Sequence, residues 1–281
     1  MSLGRRGGLH LWRRIALPEI RKLCLNERKV MSTSTKTFEE RKIILDHEIV
    51  SPEHWIARRK ELLQKESEFT RLGDQLSAEK RNLPWVRVEK AYVFEGPRGQ
   101  ETLGDLFGGR SQLIVYHFMF GPDWEEGCAT CSLVADNIDG NVVHLAHRDV
   151  TLAVVSRARL PQIEAFKKRM GWRFKWVSSY ANDFNRDYRV SFTSQEMTQN
   201  HYNYDSSGFP RDEAPGISVF YRDANRDIFH TYSSYARGPE FLIGAYGYLD
   251  LVPKGRDEDA LPYTMAWIRH HDRYGTEELQ S

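Results

Sequence analysis

Gln112-Leu113-Ile114-Val115-Tyr116-His117-Phe118-Met119-Phe120 runs into Gly121-Pro122-Asp123, and Cys128-Ala129-Thr130-Cys131 follows close behind. The run is continuously apolar, β-branched and aromatic but for one histidine, which reads as a strand buried on both faces. Gly-Pro-Asp ends it. Beyond the cysteines, Val134, Ile138, Val142 and Leu145 recur at helical spacing. The pattern is a strand, a short loop, and a C-x-x-C pair opening a helix.

Working outward, Val150–Val155 is a second buried strand, and a helix follows from about Leu160 to Met170 with Pro161 in its first turn. Strand, helix, strand, helix with continuous apolar strands implies a parallel α/β core with right-handed crossovers. Asp139-Gly140-Asn141 is expected to break or kink the cysteine helix before His144. Upstream, Ala91–Phe94, the turn Gly96–Gly99 and Thr102–Phe107 precede the core. Downstream, Ala214–Tyr221, a turn at Asp223-Ala224-Asn225, and Ile228–Tyr232 read as an antiparallel hairpin. A last helix is expected over Pro239–Leu251. Residues 172–212, rich in both aromatic and polar side chains, read as an insertion with one short strand near Phe174–Ser178. It serves as one wall of a site or as packing.

Ser51-Pro52-Glu53 opens another helix, with a cap, a first-turn proline and an acid at the positive dipole end. Trp55, Leu62, Phe69 and Leu76 then recur every seven residues until Leu83-Pro84. Such a stripe is expected to dock on the chain's own core, with a pairing arm in a homodimer as the alternative. The expected organisation is a basic extension over 1–48, a helical arm over 49–84, an α/β domain over 85–255 and a polar tail over 256–281.

Forty basic residues against thirty-nine acidic leave nothing that points globally to nucleic acid or to an anionic membrane. No apolar stretch approaches the ~20 residues that span a bilayer. Three cysteines make no secreted disulfide framework, and a reducing compartment with one redox-active pair fits them. The cytoplasm is therefore expected. Arg5, Arg6, Arg13, Arg14, Arg21, Lys22, Arg28 and Lys29 face only Glu19 and Glu27. This reads as a mitochondrial presequence, as a disordered extension, or as the product of an upstream start codon with Met31 the true beginning.

A thiolate is the attacking species in disulfide exchange, and a helix start lowers a thiol's pKa through unpaired N–H groups and the dipole. Cys128 is thus the expected nucleophile, and Cys131, one turn on, the resolving thiol. His117 is either a proton shuttle or a satisfied core histidine. A rival use of the same cysteines is zinc, with His144 and His147 completing a finger-like set. Two residues between the histidines, where a finger needs three to five, count against it.

The order β-α-β-α, hairpin, helix resembles the thioredoxin arrangement. In that fold a proline before the third core strand is cis and leaves the preceding backbone free to pair with a substrate. Ala214 and Pro215 occupy that place, although a trans strand-start proline fits the sequence equally. Leu83-Pro84-Trp85-Val86, Gln112–Met119, Gly127–Ser132, Asp149-Val150-Thr151, Arg169–Trp172, His230-Thr231-Tyr232 and Leu249-Asp250 carry a more specific resemblance. Over about Val50 to Tyr274 the chain resembles a thioredoxin-like family of unknown function described as predicted dithiol–disulfide oxidoreductases. That implies a thioredoxin-like mixed sheet flanked by helices. It also implies a protein or small-molecule thiol or disulfide as substrate, an external electron donor and no bound cofactor.

Two departures from ordinary thioredoxins stand out. Gly127 replaces the tryptophan before the first cysteine, with Trp124 nearby either lining the site or packing, and His117 stands where a buried acid is usual. A peroxiredoxin-like peroxidase is a further rival, but it needs a threonine three residues before the attacking cysteine, and position 125 is Glu. A thioredoxin-like scaffold that binds a partner without turnover is the non-enzymatic alternative.

Overall fold

Alternation along the central run sorts its side chains onto two faces, and each face has its own core. In the computed structural model, which describes residues 47–198, 202–205 and 209–275, the run forms β4 (Gln112–His117). Ile114 and Tyr116, continued by Phe118 and Phe120, join one cluster, while Leu113 and Val115 join the other. Strands β5 (Val150–Ser156) and β6 (Lys175–Ser178) repeat the split, with Val154 and Trp176 on the first face and Ala153, Val155 and Val177 on the second.

The remaining strands are β1 (Val86–Arg87), β2 (Val93–Gly96), β3 (Gly99–Thr102), β7 (Gly216–Arg222) and β8 (Ile228–Tyr235). They complete one sheet in the order β1-β8-β7-β4-β5-β6-β2-β3. β4 pairs parallel with β5, and β5 with β6; β7 pairs antiparallel with β4 and β8. This is a mixed α/β, thioredoxin-like fold. Val50–Ser281 makes one compact unit; of Met1–Ile49 only 47–49 are described, an exposed stretch without helix or strand. The Arg-rich segment before Met31 lies outside the described residues. Among those described, no helix is long and apolar enough to cross a membrane.

Helix α1 (Pro52–Arg81) is capped by Ser51, whose Oγ accepts from the His54 N–H at 3.3 Å. It buries no residue. The expectation that its stripe docks on the chain's own core is therefore corrected: Trp55, Leu62, Phe69 and Leu76 stay open to solvent. α2 (Leu103–Leu106) follows β3. α3 (Ala129–Ala146) follows the cysteine loop and packs Val134, Ala135 and Ile138 on the first face.

The break expected at Asp139-Gly140-Asn141 does not occur. Asp139 turns its carboxylate outward to the N–H groups of Arg173 and Phe174 (2.6 and 3.0 Å), and Asn141 donates back to the Asn137 carbonyl. Asp139 thus stays clear of the helix ladder, and Asn141 shares a carbonyl with it without breaking it. α4 (Leu160–Arg169) adds Ile163 and Phe166 to the first face, and α5 (Phe184–Asp187) adds Phe184 to the second. The last expected helix is split into a 3₁₀ turn over Gly238–Leu242 and α6 (Gly244–Leu249).

Two segments pack more closely than their composition implies. Val190, Phe192 and Tyr202 from the aromatic insertion form a third cluster with Ala214 and Tyr235. In the segment read as a polar tail, Ile268 and His270 are buried, and Arg169 binds Asp272 through two hydrogen bonds of 2.8 and 2.9 Å.

Candidate functional site

Cys128 occupies the N-cap of α3 with extended backbone (φ −60°, ψ 130°). The peptide before it is fixed at both ends. The Cys128 N–H donates to the Met119 carbonyl (3.0 Å), and His270 Nε2 lies 2.8 Å from the Gly127 carbonyl. His270 therefore carries its proton on Nε2, with Nδ1 accepting from Arg169 at 3.3 Å. Gly127 is required sterically, since a Cβ there would lie 2.6 Å from the Phe118 ring and 2.8 Å from the Phe166 ring. Glu126 receives Arg169 and Arg273, and although burial opposes its ionisation these two hold its carboxyl below the usual range.

Both thiols are free; Cys128 is half-buried and Cys131 buried. Their environments push them apart. The Cys131 thiol donates to the Cys128 sulfur, and backbone N–H groups of Cys131 and Thr130 and the charge of Arg211 add to this against the cost of burial. Together they pull Cys128 down to about 6. Burial first, and then its neighbour Cys128, push Cys131 well above the ordinary thiol range. Tyr116, on the same sheet face, donates to the Cys131 sulfur, and burial with that contact raises its own pKa. The arrangement favours the anion at the half-buried Cys128 and the protonated thiol at Cys131 behind it.

The other expected site residues fare differently. His117 points to the opposite face. It bonds Ser218 Oγ at 2.9 Å and packs against Phe184 and Tyr188, and its Nδ1 has no partner. Burial, with the His230 charge, lowers it to about 3, so it is a neutral core histidine and the sheet separates it from the sulfurs. The shuttle expectation is corrected on that ground.

Trp124 lies in the same cluster as Cys128, half-buried, with its ring closed over Gly121, where a Cβ would meet Nε1 at 2.8 Å. The Ala214–Pro215 peptide is trans. The Ala214 N–H is not free for a substrate, because it donates to the Val190 carbonyl (2.8 Å) while Phe192 N–H donates to Asp212. The chain's own segment 190–192 thus pairs there. Its anchor is Glu213, bonded to Ser191 (2.6 Å) and Arg157 (3.0 Å). Burial raises Glu213 to about 7 despite both partners.

Sequence reasoning missed Tyr116, Arg211 and the His270–Glu126–Arg273 clamp. The alternation that sets His117 on one face sets Tyr116 on the other, so Tyr116 was accessible to that rule; the clamp joins residues more than 140 apart in the chain. The zinc alternative finds no support. α3 is unbroken, so it carries His144 about 20 Å along its axis from Cys131. Among the described residues no three His, Cys, Asp or Glu side chains gather as a metal site. Glu125, three residues before Cys128, is exposed.

A family model matches residues 44–274, and the chain belongs to that family, described as "Bacterial protein of unknown function (DUF899)". No curated protein matches it. Among solved structures it is similar to peroxiredoxin Q of Xanthomonas campestris (11% identity, 62% of this chain and 99% of that one, TM-score 0.41). It is similar also to peroxidoxin BcpB from Mycobacterium tuberculosis (8%, 58% and 94%, TM-score 0.39). A third is the "putative Thiol:disulfide interchange protein DsbE" from Chlorobium tepidum (12%, 58% and 94%, TM-score 0.37).

Proposed function

We propose that this member of the family is a thiol–disulfide oxidoreductase in which Cys128 attacks and Cys131 resolves. The observation that carries the reading is the asymmetry of the pair, a lowered, half-buried thiol at a helix start backed by a fully buried, raised one. The Cys128 thiolate attacks one sulfur of a protein or small-molecule disulfide. A Cys128–substrate bond forms, the substrate disulfide breaks, and the departing thiolate takes a proton from solvent. Cys131 then gives up its proton and attacks the Cys128 sulfur, so the mixed disulfide breaks and the second substrate thiol leaves. Two electrons pass from the dithiol to the substrate, and an external thiol donor restores the pair. The same steps run backwards would oxidise a substrate dithiol.

The test is reduction of a model protein disulfide by the full chain, with dithiothreitol as donor. Cys128→Ser is expected to lower turnover to the rate of dithiothreitol alone, and Cys131→Ser, mixed with the disulfide in the absence of dithiothreitol, to stop at a mixed disulfide held through Cys128. Full turnover in Cys128→Ser would overturn the reading. A peroxide arm separates the peroxidase alternative: hydrogen peroxide consumed faster than the disulfide would favour it. The Glu125 carboxylate, where that chemistry needs a hydroxyl, argues for the disulfide.

A further inference from the structure

Trp55, Leu62, Phe69 and Leu76 of α1 are 45% to 77% exposed, and Ile56 and Leu63 beside them about half. A helix in water draws most of its stability from burying an apolar face. This one runs for 30 residues and buries none. A contiguous exposed stripe on that scale marks an interaction surface. We infer that a second copy of this chain covers it, the two α1 helices lying antiparallel about a two-fold axis between Lys65 and Glu66.

The spacing selects the partner. A seven-residue repeat keeps one seam of two helices in contact. An evenly spaced series also reads the same in both directions, so a reversed copy is complementary without further adjustment. About the stated axis Trp55 meets Leu76 of the other copy, and Leu62 meets Phe69, each contact occurring twice.

The charges select the direction. Residues 52–65 hold four basic and two acidic side chains, and residues 66–81 three basic and four acidic. Antiparallel pairing sets the basic half on the acidic half, and Lys65 on Glu66 of the other copy. Parallel pairing would set basic on basic. Glu66 already accepts from Arg59 at 2.7 Å, and a carboxylate has lone pairs for both cations. A membrane surface fits less well, because the polar positions of α1 carry mixed signs rather than a basic face. Over its full ~45 Å and at a helix diameter of ~12 Å, α1 offers each copy on the order of 500 Å², below the ~800 Å² per partner of a standard interface and in keeping with a dimer of micromolar rather than nanomolar affinity.

α1 contributes no residue to the thiol site, so this inference and the dithiol reading fail separately. The test is sedimentation equilibrium of the full chain and its variants, with Cys128 alkylation as a check that the domain is intact. The full chain is expected to be a dimer at micromolar concentration. Phe69→Glu combined with Leu62→Glu is expected to raise the dimer dissociation constant at least about tenfold. Lys65→Glu and Glu66→Lys should each weaken the dimer, whereas K65E/E66K together should recover it, since opposite charges again face across the axis. A monomeric full chain, a dimer indifferent to F69E/L62E, or a charge swap that recovers nothing would each overturn the inference.

Discussion

At the residue scale the proposed chemistry rests on one sulfur whose hydrogen bonds outweigh the cost of its burial, and on another whose burial outweighs its hydrogen bonds. The Cys131 thiol, two backbone N–H groups and Arg211 act on Cys128, whereas at Cys131 burial and the adjacent Cys128 sulfur outweigh the hydrogen bonds from Tyr116 and the Met119 backbone. The motif and its place at a helix start were legible in the sequence. The sign of His117's contribution was not. A histidine in a strand is placed by parity: odd positions of β4 face Phe184 and even positions face the cysteines. His117→Phe is accordingly expected to leave the Cys128 alkylation rate within about twofold of wild type, as for sites without shared partners. A tenfold change in that rate would place His117 in the thiol machinery after all.

At the scale of elements, the helix start at Ser51-Pro52 and the strands of the core could be read directly, because caps and apolar runs are local signals. The unbroken α3 could not. Whether Asp139 and Asn141 break a helix depends on where their side chains bond, and Asp139 bonds a loop 34 residues away. The pairing of residues 190–192 with 212–214 was equally hidden, since it is fixed by the buried Glu213 with Ser191 and Arg157. Glu213 has a pH signature. Its folded pKa, about 7, lies above the usual value of 4.5, so between those pH values the folded state holds a proton that the unfolded state has lost. Stability contributed by this group is therefore full below about pH 4.5 and declines as pH rises through 7. Glu213→Gln should remove that slope, so that the variant gains on wild type in urea denaturation between pH 5 and pH 8. A difference that stays flat across this range would show that Glu213 is ionised throughout.

At the scale of the whole molecule, the sheet order follows from βαβ handedness and hairpin adjacency, which is why the fold class was legible. The return of residues 268–273 to the cysteine loop was not. His270 reaches the Gly127 carbonyl and Arg273 reaches Glu126, and nothing local in the segment after Lys254 signals either contact. Nor does periodicity alone tell whether an apolar stripe meets its own core or another chain. The thiol's reactivity is a property of this assembled fold, because helix start, clamp, Arg211 and Cys131 come together only when it forms. The direct measurement is the pH dependence of Cys128 alkylation by iodoacetamide, in the native chain and in 8 M urea. The account predicts a native midpoint at about 6 that moves to about 8.5 on unfolding, and that rises towards the same value in native Cys131→Ala. A native midpoint already at about 8.5 would contradict it.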